Sequence, residues 1–345
     1  GIKPHATLYH WDLPAALQAR GGWLNPDCAQ WFGAYAAEVS QAIGDRVRYW
    51  MPHNEPQCFI GMGYHDGTHA PGLKLPWREV LQAGHTALLA HGLAAQALRA
   101  NATQKALIGY APVGCVGFPA TESPRDIEAA RAGTFAVTNK DQWNNTWWMD
   151  PIFFGKYPED GLALFGADAP RYTDAEMKTI AQPMDFFGVN IYHGKKVRFN
   201  PLTGLPEIVP FAPGHPHTTM RWPVTPEMAY WGPKFFYERY KLPIYITENG
   251  MANCDWIAAD GKVHDPQRIE FLSRYLPQVQ RACAEGVDVR GYFYWSLMDN
   301  YEWAEGYRER FGLVFVDYTT QRRIPKDSFH WYKGVITANA VSQGA

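Results

Sequence analysis

The sequence predicts an α/β fold of (β/α)-barrel type, in one domain spanning residues 1–345, and three observations carry that expectation. Short apolar runs alternate with amphipathic helical stretches, the order expected of βαβ units around a parallel sheet. Most of the apolar runs are continuously hydrophobic or aromatic, as strands buried on both faces are. Several of them end in polar clusters rather than ordinary turns, and a barrel gathers all its strand C-termini at one rim.

Taken in chain order, the strands are expected at 6–9, 49–53, 106–110, 186–192, 244–247 and 291–295, which makes six βα units. Asn25-Pro26 supplies an N-cap and a first-turn proline, Trp31, Phe32, Tyr35, Val39 and Ile43 follow at helical spacing, and Gly44 ends the helix. Pro76 opens a second helix running to about Ala100, with Val80, Leu81, Leu88 and Leu89 in its stripe. Asp265-Pro266 opens a third, with Ile269, Leu272, Leu276, Val279 and Cys283 as the stripe before Gly286. Pro52 removes a backbone donor from an inner strand, so a bulge near that strand's end is expected. Residues 111–150 and 193–235 are rich in Pro, Gly and Thr and read as long loops at the functional end.

Composition excludes several classes of function. A net charge of −2 without a dense Lys/Arg stretch offers no phosphate-neutralising surface, so no nucleic-acid partner is expected. No apolar run reaches the roughly 18 residues that span a bilayer, so no membrane partner is expected either. The five cysteines are scattered without a Cys-x-x-Cys pair, which argues against zinc and for free thiols in a reducing compartment. The opening residues lack the charged and apolar regions of a signal peptide, and a cytoplasmic location is the expectation. His65 and His69 stand four apart but among glycines, so a loop is read there and no metal site. Gly61-Met62-Gly63 lacks the third glycine of a dinucleotide motif and reads as a rim loop. His85, His91, His215 and His217 read as packed or solvated. The chain has 14 Trp and 19 Tyr, whose flat faces suit sugar rings, although a large core also uses bulky side chains.

The chemistry lies in the polar clusters. The first strand ends in Tyr9-His10-Trp11-Asp12, the second in His53-Asn54-Glu55-Pro56, and the fourth in Asn190-Ile191-Tyr192-His193. The fifth ends in Thr247-Glu248-Asn249-Gly250, and the sixth runs on through Trp295 to Trp303. Glu55 and Glu248 thus stand directly after buried strands, where a carboxylate faces a partly dry pocket. Glycoside hydrolysis needs such a pair, one to protonate the leaving oxygen and one to attack the anomeric carbon. A single strand-end glutamate is ordinarily a satisfied surface group; two, each beside an asparagine and with tryptophans at other rim positions, shift the balance toward catalysis.

The segments 8–14 (LYHWDLP), 53–56 (HNEP), 246–250 (ITENG) and 295–303 (WSLMDNYEW) resemble the signatures of glycoside hydrolase family 1, the β-glucosidases and β-galactosidases. The similarity runs, in order and spacing, from Gly1 to about Tyr332. It implies a retaining β-glucosidase without cofactor or metal, acting on unphosphorylated β-glucosides or short oligosaccharides, with β-galactosides as further substrates. By the same resemblance Glu55 is the acid/base and Glu248 the nucleophile. His10, Trp11 and Asn54 bind the reacting sugar, and Tyr192 holds the nucleophile ionised. Trp295 forms the hydrophobic platform, Glu302 and Trp303 clamp the 4- and 6-hydroxyls, and Phe311 is a further substrate-binding residue. The resemblance also implies two βα units ahead of Gly1, one bringing a Gln for the 3- and 4-hydroxyls and one an Arg beside the nucleophile. The six strands are then the third to eighth of an incomplete (β/α)8 barrel. An open barrel has two bare edges, so a homo-oligomer that hides them is expected. Two other readings stand beside the hydrolase: a weak or inactive barrel that self-assembles, and a sugar-binding or transglycosylating protein.

Overall fold

The computed structural model describes residues 1–341. Its strands are β1 (His5–Tyr9), β2 (Tyr49–His53), β3 (Leu107–Tyr110), β4 (Val116–Pro119), β5 (Phe186–Asn190), β6 (Gly194–Phe199), β7 (Pro206–Ile208), β8 (Ile244–Asn249), β9 (Val289–Tyr294), β10 (Val314–Val316) and β11 (Arg323–Pro325). The chain forms two units interleaved in sequence, one of Gly1–Cys115 and Thr134–Asn190, the other of Val116–Gly133 and Ile191 onward.

In the first unit β1, β2, β3 and β5 pair in parallel, with Ala6 opposite Trp50, Trp50 opposite Ile108 and Gly109 opposite Phe186. All five residues of β5 are buried, as its unbroken apolar run requires. Pro52 sits inside β2, and across it the register against β3 slips by one residue, from Trp50 opposite Ile108 to Asn54 opposite Ala111, in keeping with the expected bulge. The pairing to β3 stops at Trp50 and resumes only as a bridge from Asn54 to Ala111, so the missing donor falls in a gap of the ladder.

Helices Asp27–Ile43 and Trp77–Asn101 lie where the capping signals put them, and the Asn25 side chain accepts from the backbone N–H of Asp27 at 2.9 Å. The buried face of the first is Cys28, Ala29, Phe32, Ala36 and Ser40, while Tyr35 is exposed. Small residues occupy that face because it lies close against the second helix; a Cβ added at Gly33 would stand 3.2 Å from that of Leu93. The second helix is buried around most of its circumference, with Val80, Leu81, Leu88 and Leu98 fully enclosed. Each such side chain stabilises the fold by about 1.5–3 kcal/mol relative to exposure.

The expected rim loop at Gly61–Gly63 is instead part of a wide helix of π type, Gln57–Asp66, that carries His65. The glycines are needed for space: a Cβ at Gly61 would fall 2.4 Å from Gln142, and one at Gly63 2.6 Å from the Ala70 carbonyl. Among the described residues no group of metal-ligating side chains converges there or elsewhere.

In the second unit β8 and β9 pair in parallel, Ile246 opposite Tyr292, with the register shifting before Asn249 meets Tyr294. Helix Pro266–Ala284 begins at the expected proline, but it buries Arg268, Phe271, Leu272, Tyr275, Val279 and Ala282. Cys283 is exposed, so the stripe is rotated toward the aromatic residues. The segments read as long loops are built: β4 and helices Pro124–Phe135 and Thr146–Phe154 fill the first, and β6 and β7 the second. β6 pairs with both β4 and β7 to make a small separate sheet. β4 and β7, four and three residues long, leave no periodicity for sequence to reveal, and helix Thr146–Phe154 is buried all round from Thr146 to Ile152, so it shows no polar face.

Candidate active site

The polar cluster of the first unit is assembled where β1, β2 and β5 end. Asn54 donates its backbone N–H to the Tyr9 carbonyl, and Glu55 donates its own to the Ala111 carbonyl at 2.9 Å, so both residues are fixed by neighbouring strands. At Glu55 the backbone leaves the strand with φ +47°, and Trp11 turns likewise with φ +82°. These left-handed conformations are uncommon outside glycine and aim the side chains away from the sheet.

The Glu55 carboxyl is buried and engaged through both oxygens. Asn190 donates to Oε1 at 2.8 Å and the Cys58 thiol to Oε2 at 3.2 Å. Burial pushes its pKa above the usual carboxylate range, and the Asn190 and Cys58 bonds oppose that rise. The same Asn190 amide nitrogen donates to Asn54 Oδ1 at 2.9 Å. With its oxygen so occupied, Asn54 donates from its nitrogen to His10 Nε2 at 3.2 Å. Burial lowers the His10 pKa to about 4, against the pull of Asp12, so the ring is neutral near pH 7 and accepts through Nε2. Trp11 completes the group by donating Nε1–H to the Asn54 carbonyl at 3.0 Å. Glu55, Asn190, Asn54, His10 and Trp11 therefore form one hydrogen-bonded assembly, in which Asn190 joins Glu55 to Asn54 and Asn54 joins Asn190 to His10 and Trp11.

The second unit places Glu248 near the end of β8, buried, with the Tyr192 hydroxyl donating to Oε2 at 2.7 Å. Tyr192 is itself held by rings, its centroid 5.0 Å from Trp222 and 6.1 Å from Phe311. Asn249, next along the strand, donates to the Ile191 carbonyl at 2.6 Å and accepts from the Tyr292 hydroxyl at 2.6 Å, which locks the strand end. Trp295 donates its backbone N–H to the Asn249 carbonyl at 2.9 Å, so the segment after β9 starts beside the Glu248 strand. Glu302 and Trp303 sit in a tight turn where Glu302 N–H meets the Gly306 carbonyl at 2.7 Å and Trp303 has φ +46°. Phe311 lies buried on the returning leg of that excursion, its carbonyl accepting from the Tyr294 hydroxyl at 3.0 Å.

Sequence reading missed Asn190, Cys58 and Trp222. Asn190 carried the same signal as Asn54, a polar residue closing a fully apolar strand. Cys58 carried none, since its role depends on the helical turn that returns it to Glu55. Trp222 lies in the segment 193–235, which was read as loop.

The profile of glycosyl hydrolase family 1 matches residues 1–341. The 1,4-beta-D-glucan glucohydrolase of Thermotoga neapolitana is 41% identical over 347 residues, covering 99% of this chain and 75% of that protein. Beta-glucosidase A of Acetivibrio thermocellus is 38% identical over 344 residues, covering 98% of this chain and 75% of its own length. The solved beta-glucosidase from Thermotoga maritima in complex with glucoimidazole superposes with a TM-score of 0.87 at 39% identity, over 99% of this chain and 75% of that one.

Proposed function

The chain belongs to glycosyl hydrolase family 1, with the (β/α)8-barrel fold of that family, and from that premise we propose that Glu55 and Glu248 are the acid/base and nucleophile of a retaining β-glucosidase. The six parallel strands correspond, on this reading, to the third to eighth of the family's barrel, in keeping with the 75% of its relatives' length that the chain spans.

The contrast between the two carboxyl environments carries the assignment. Burial raises the Glu55 pKa, which favours the protonated carboxyl that an acid needs. Glu248 instead accepts a short hydrogen bond from the Tyr192 hydroxyl, which fixes one carboxylate oxygen and orients the group, as a nucleophile requires. In the first step Glu248 attacks the anomeric carbon while Glu55 passes its proton to the departing glycosidic oxygen, leaving a glycosyl ester. In the second, Glu55, now a carboxylate, takes a proton from water, whose oxygen displaces Glu248 and restores both groups. Two inversions give net retention.

The sugar contacts follow the same reading. Neutral His10 and the Asn54 amide bond ring hydroxyls, Trp295 and Phe311 offer apolar faces, and Glu302 with Trp303 holds the 4- and 6-hydroxyls. A carboxylate at Glu302 suits neutral hydroxyls, hence unphosphorylated substrates. The beta-glucosidase from Thermotoga maritima, which this chain resembles, is solved in complex with glucoimidazole and with deoxynojirimycin, in keeping with a small sugar-like ligand here. Self-association is a further part of the proposal. No residue of β9 is buried, Phe293 and Leu297 are exposed, and a second copy would cover them. Sedimentation at micromolar concentration tests it, and a stable monomer refutes it.

Azide separates the two roles. Glu248→Ala should abolish hydrolysis, whereas Glu55→Ala should still form the glycosyl ester from activated aryl glucosides, stall, and be rescued by azide as a β-glucosyl azide. An α-configured azide from the Glu55 variant would reverse the assignment.

A further inference from the structure

Beneath the excursion that carries Trp295, Glu302, Trp303 and Phe311 lies a buried network of charges that the reaction does not use. Asp255, Asp265 and Asp299 face Arg268, Lys326 and Arg310, and every side chain except Arg310 is fully enclosed. Lys326 is the bridge, its Nζ 2.6 Å from Asp255 Oδ2 and 2.9 Å from Asp299 Oδ1. Asp255 stands on the segment leaving β8, the strand of Glu248, and also receives Arg268 at 2.7 Å. Asp299 stands at the foot of the excursion after β9.

The Asp299 carboxylate then ties the two legs of that excursion together. It accepts from the backbone of Gly312 at 2.9 Å and of Val316 at 3.3 Å, and from Arg310 at 2.6 Å. The legs touch through the backbone as well, Leu313 N–H to the Ser296 carbonyl and Asp299 N–H to the Val314 carbonyl. Their approach leaves no room for a side chain at Gly312, where a Cβ would stand 2.1 Å from the Asp299 nitrogen. Arg268 adds a bond to the Arg310 carbonyl at 2.9 Å, and Asn253, beside Asp255, donates its backbone N–H to the same oxygen at 3.1 Å.

We propose that Lys326, through Asp255 and Asp299, is a positioning residue that sets the sugar-holding excursion in register with the segment leaving the nucleophile strand. The proposal rests on the sugar-binding roles assigned above to Trp295, Glu302 and Trp303. Buried ion pairs are poor sources of net stability, because desolvation offsets their attraction, and in some proteins they serve instead to fix one geometry against others. Here that geometry joins two parts of one binding surface.

The test compares Lys326→Met, which leaves a buried charge uncompensated, with Lys326→Met/Asp299→Asn, which restores neutrality without restoring the tie. Arg310→Lys, at the partly exposed margin, keeps the charge but shortens the reach, and carries the same comparison where the interior variants do not fold. Kinetics per active site, counted by covalent trapping of the nucleophile with a fluorinated aryl glucoside, should show kcat/KM down roughly 10- to 100-fold, mostly through KM. Amide exchange across 295–316 should quicken in the same variants. A lowered Tm with unchanged KM and unchanged exchange overturns the proposal. If the parent chain hydrolyses no β-glucoside, the functional reading fails, and exchange alone then decides the positioning role.

Discussion

Replacing Asn190 by Ala should move the alkaline limb of kcat/KM to higher pH. The Asn190 amide spends its two hydrogens on Asn54 Oδ1 and Glu55 Oε1, at 2.9 and 2.8 Å. Burial raises the Glu55 pKa, and the bonds from Asn190 and Cys58 hold it back, so removing the amide lets it climb further. A hydrogen bond to a charged acceptor contributes about 1.5–3 kcal/mol and one pKa unit is about 1.4 kcal/mol, which gives an upward move of roughly one to two pH units. On the proposed assignment Glu55 must hold its proton in the first step, so activity fails as pH rises through its pKa, and a higher pKa delays that failure. The assay is kcat/KM, which reports the free enzyme, from about pH 4 to about pH 10 on a glucoside whose leaving group needs protonation. Cys58→Ala should move the limb the same way by less, since a thiol is a weaker donor. Asn190→Asp should move it further, because a second carboxylate then faces the first. An Asn190→Ala enzyme that is folded and active, with its alkaline limb unmoved or shifted down, would refute the reasoning.

Tyr192→Phe removes the hydroxyl 2.7 Å from Glu248 and should slow formation of the glycosyl ester roughly 10- to 100-fold, read in single-turnover experiments; an unchanged first step would disconnect Tyr192 from the nucleophile. Aryl β-glucosides phosphorylated at the 6-position should be far poorer substrates than plain ones, since Glu302 repels a dianion, and comparable rates would contradict that role. His91 is fully buried, and burial, helped by Arg99, lowers its pKa to about 3. Between the unfolded value near 6.5 and that figure the unfolded chain binds the extra proton, so stability falls as pH falls, by up to about 1.4 kcal/mol per pH unit. His91→Leu should flatten this dependence in urea titrations at acid and neutral pH, and an unchanged slope would assign the acid sensitivity to other groups.

The strands were legible because burial on both faces leaves an unbroken apolar run, and each expected strand lies within about two residues of the observed one. Helix starts were legible from Asn25-Pro26 and Asp265-Pro266, because a first-turn proline acts locally, although the Asp265 carboxylate makes no cap bond and turns to Arg268 and Ser328. The helix faces were not, because which stripe turns inward is decided by the neighbour; Tyr35 lost its place to Ala36 and Ser40 where two helices close in. The helix Gln57–Asp66 was hidden by its glycines, which serve close packing rather than a turn. At the candidate site Glu55 and Glu248 stood out as charges after apolar runs. Their partners Asn190, Cys58 and Tyr192 lie 135, 3 and 56 residues away along the chain, and of the three only Tyr192 was expected, by resemblance, because folding alone creates these contacts.

Trp11, Glu55 and Trp303 share a backbone conformation that side chains other than glycine adopt at a cost of about 1–2 kcal/mol each. Glycine at any of the three would relax the main chain and would delete the indole or carboxyl that the turn exists to aim. This sets a limit for anyone seeking a hardier version of the protein. The ordinary remedy for an unfavourable turn is closed at these three places, so gains in heat tolerance must be sought far from them, on exposed helix faces and surface loops. A screen that selects for stability alone would accept glycine at these positions, and on the proposed roles the variants it kept would have lost groups that hold the sugar.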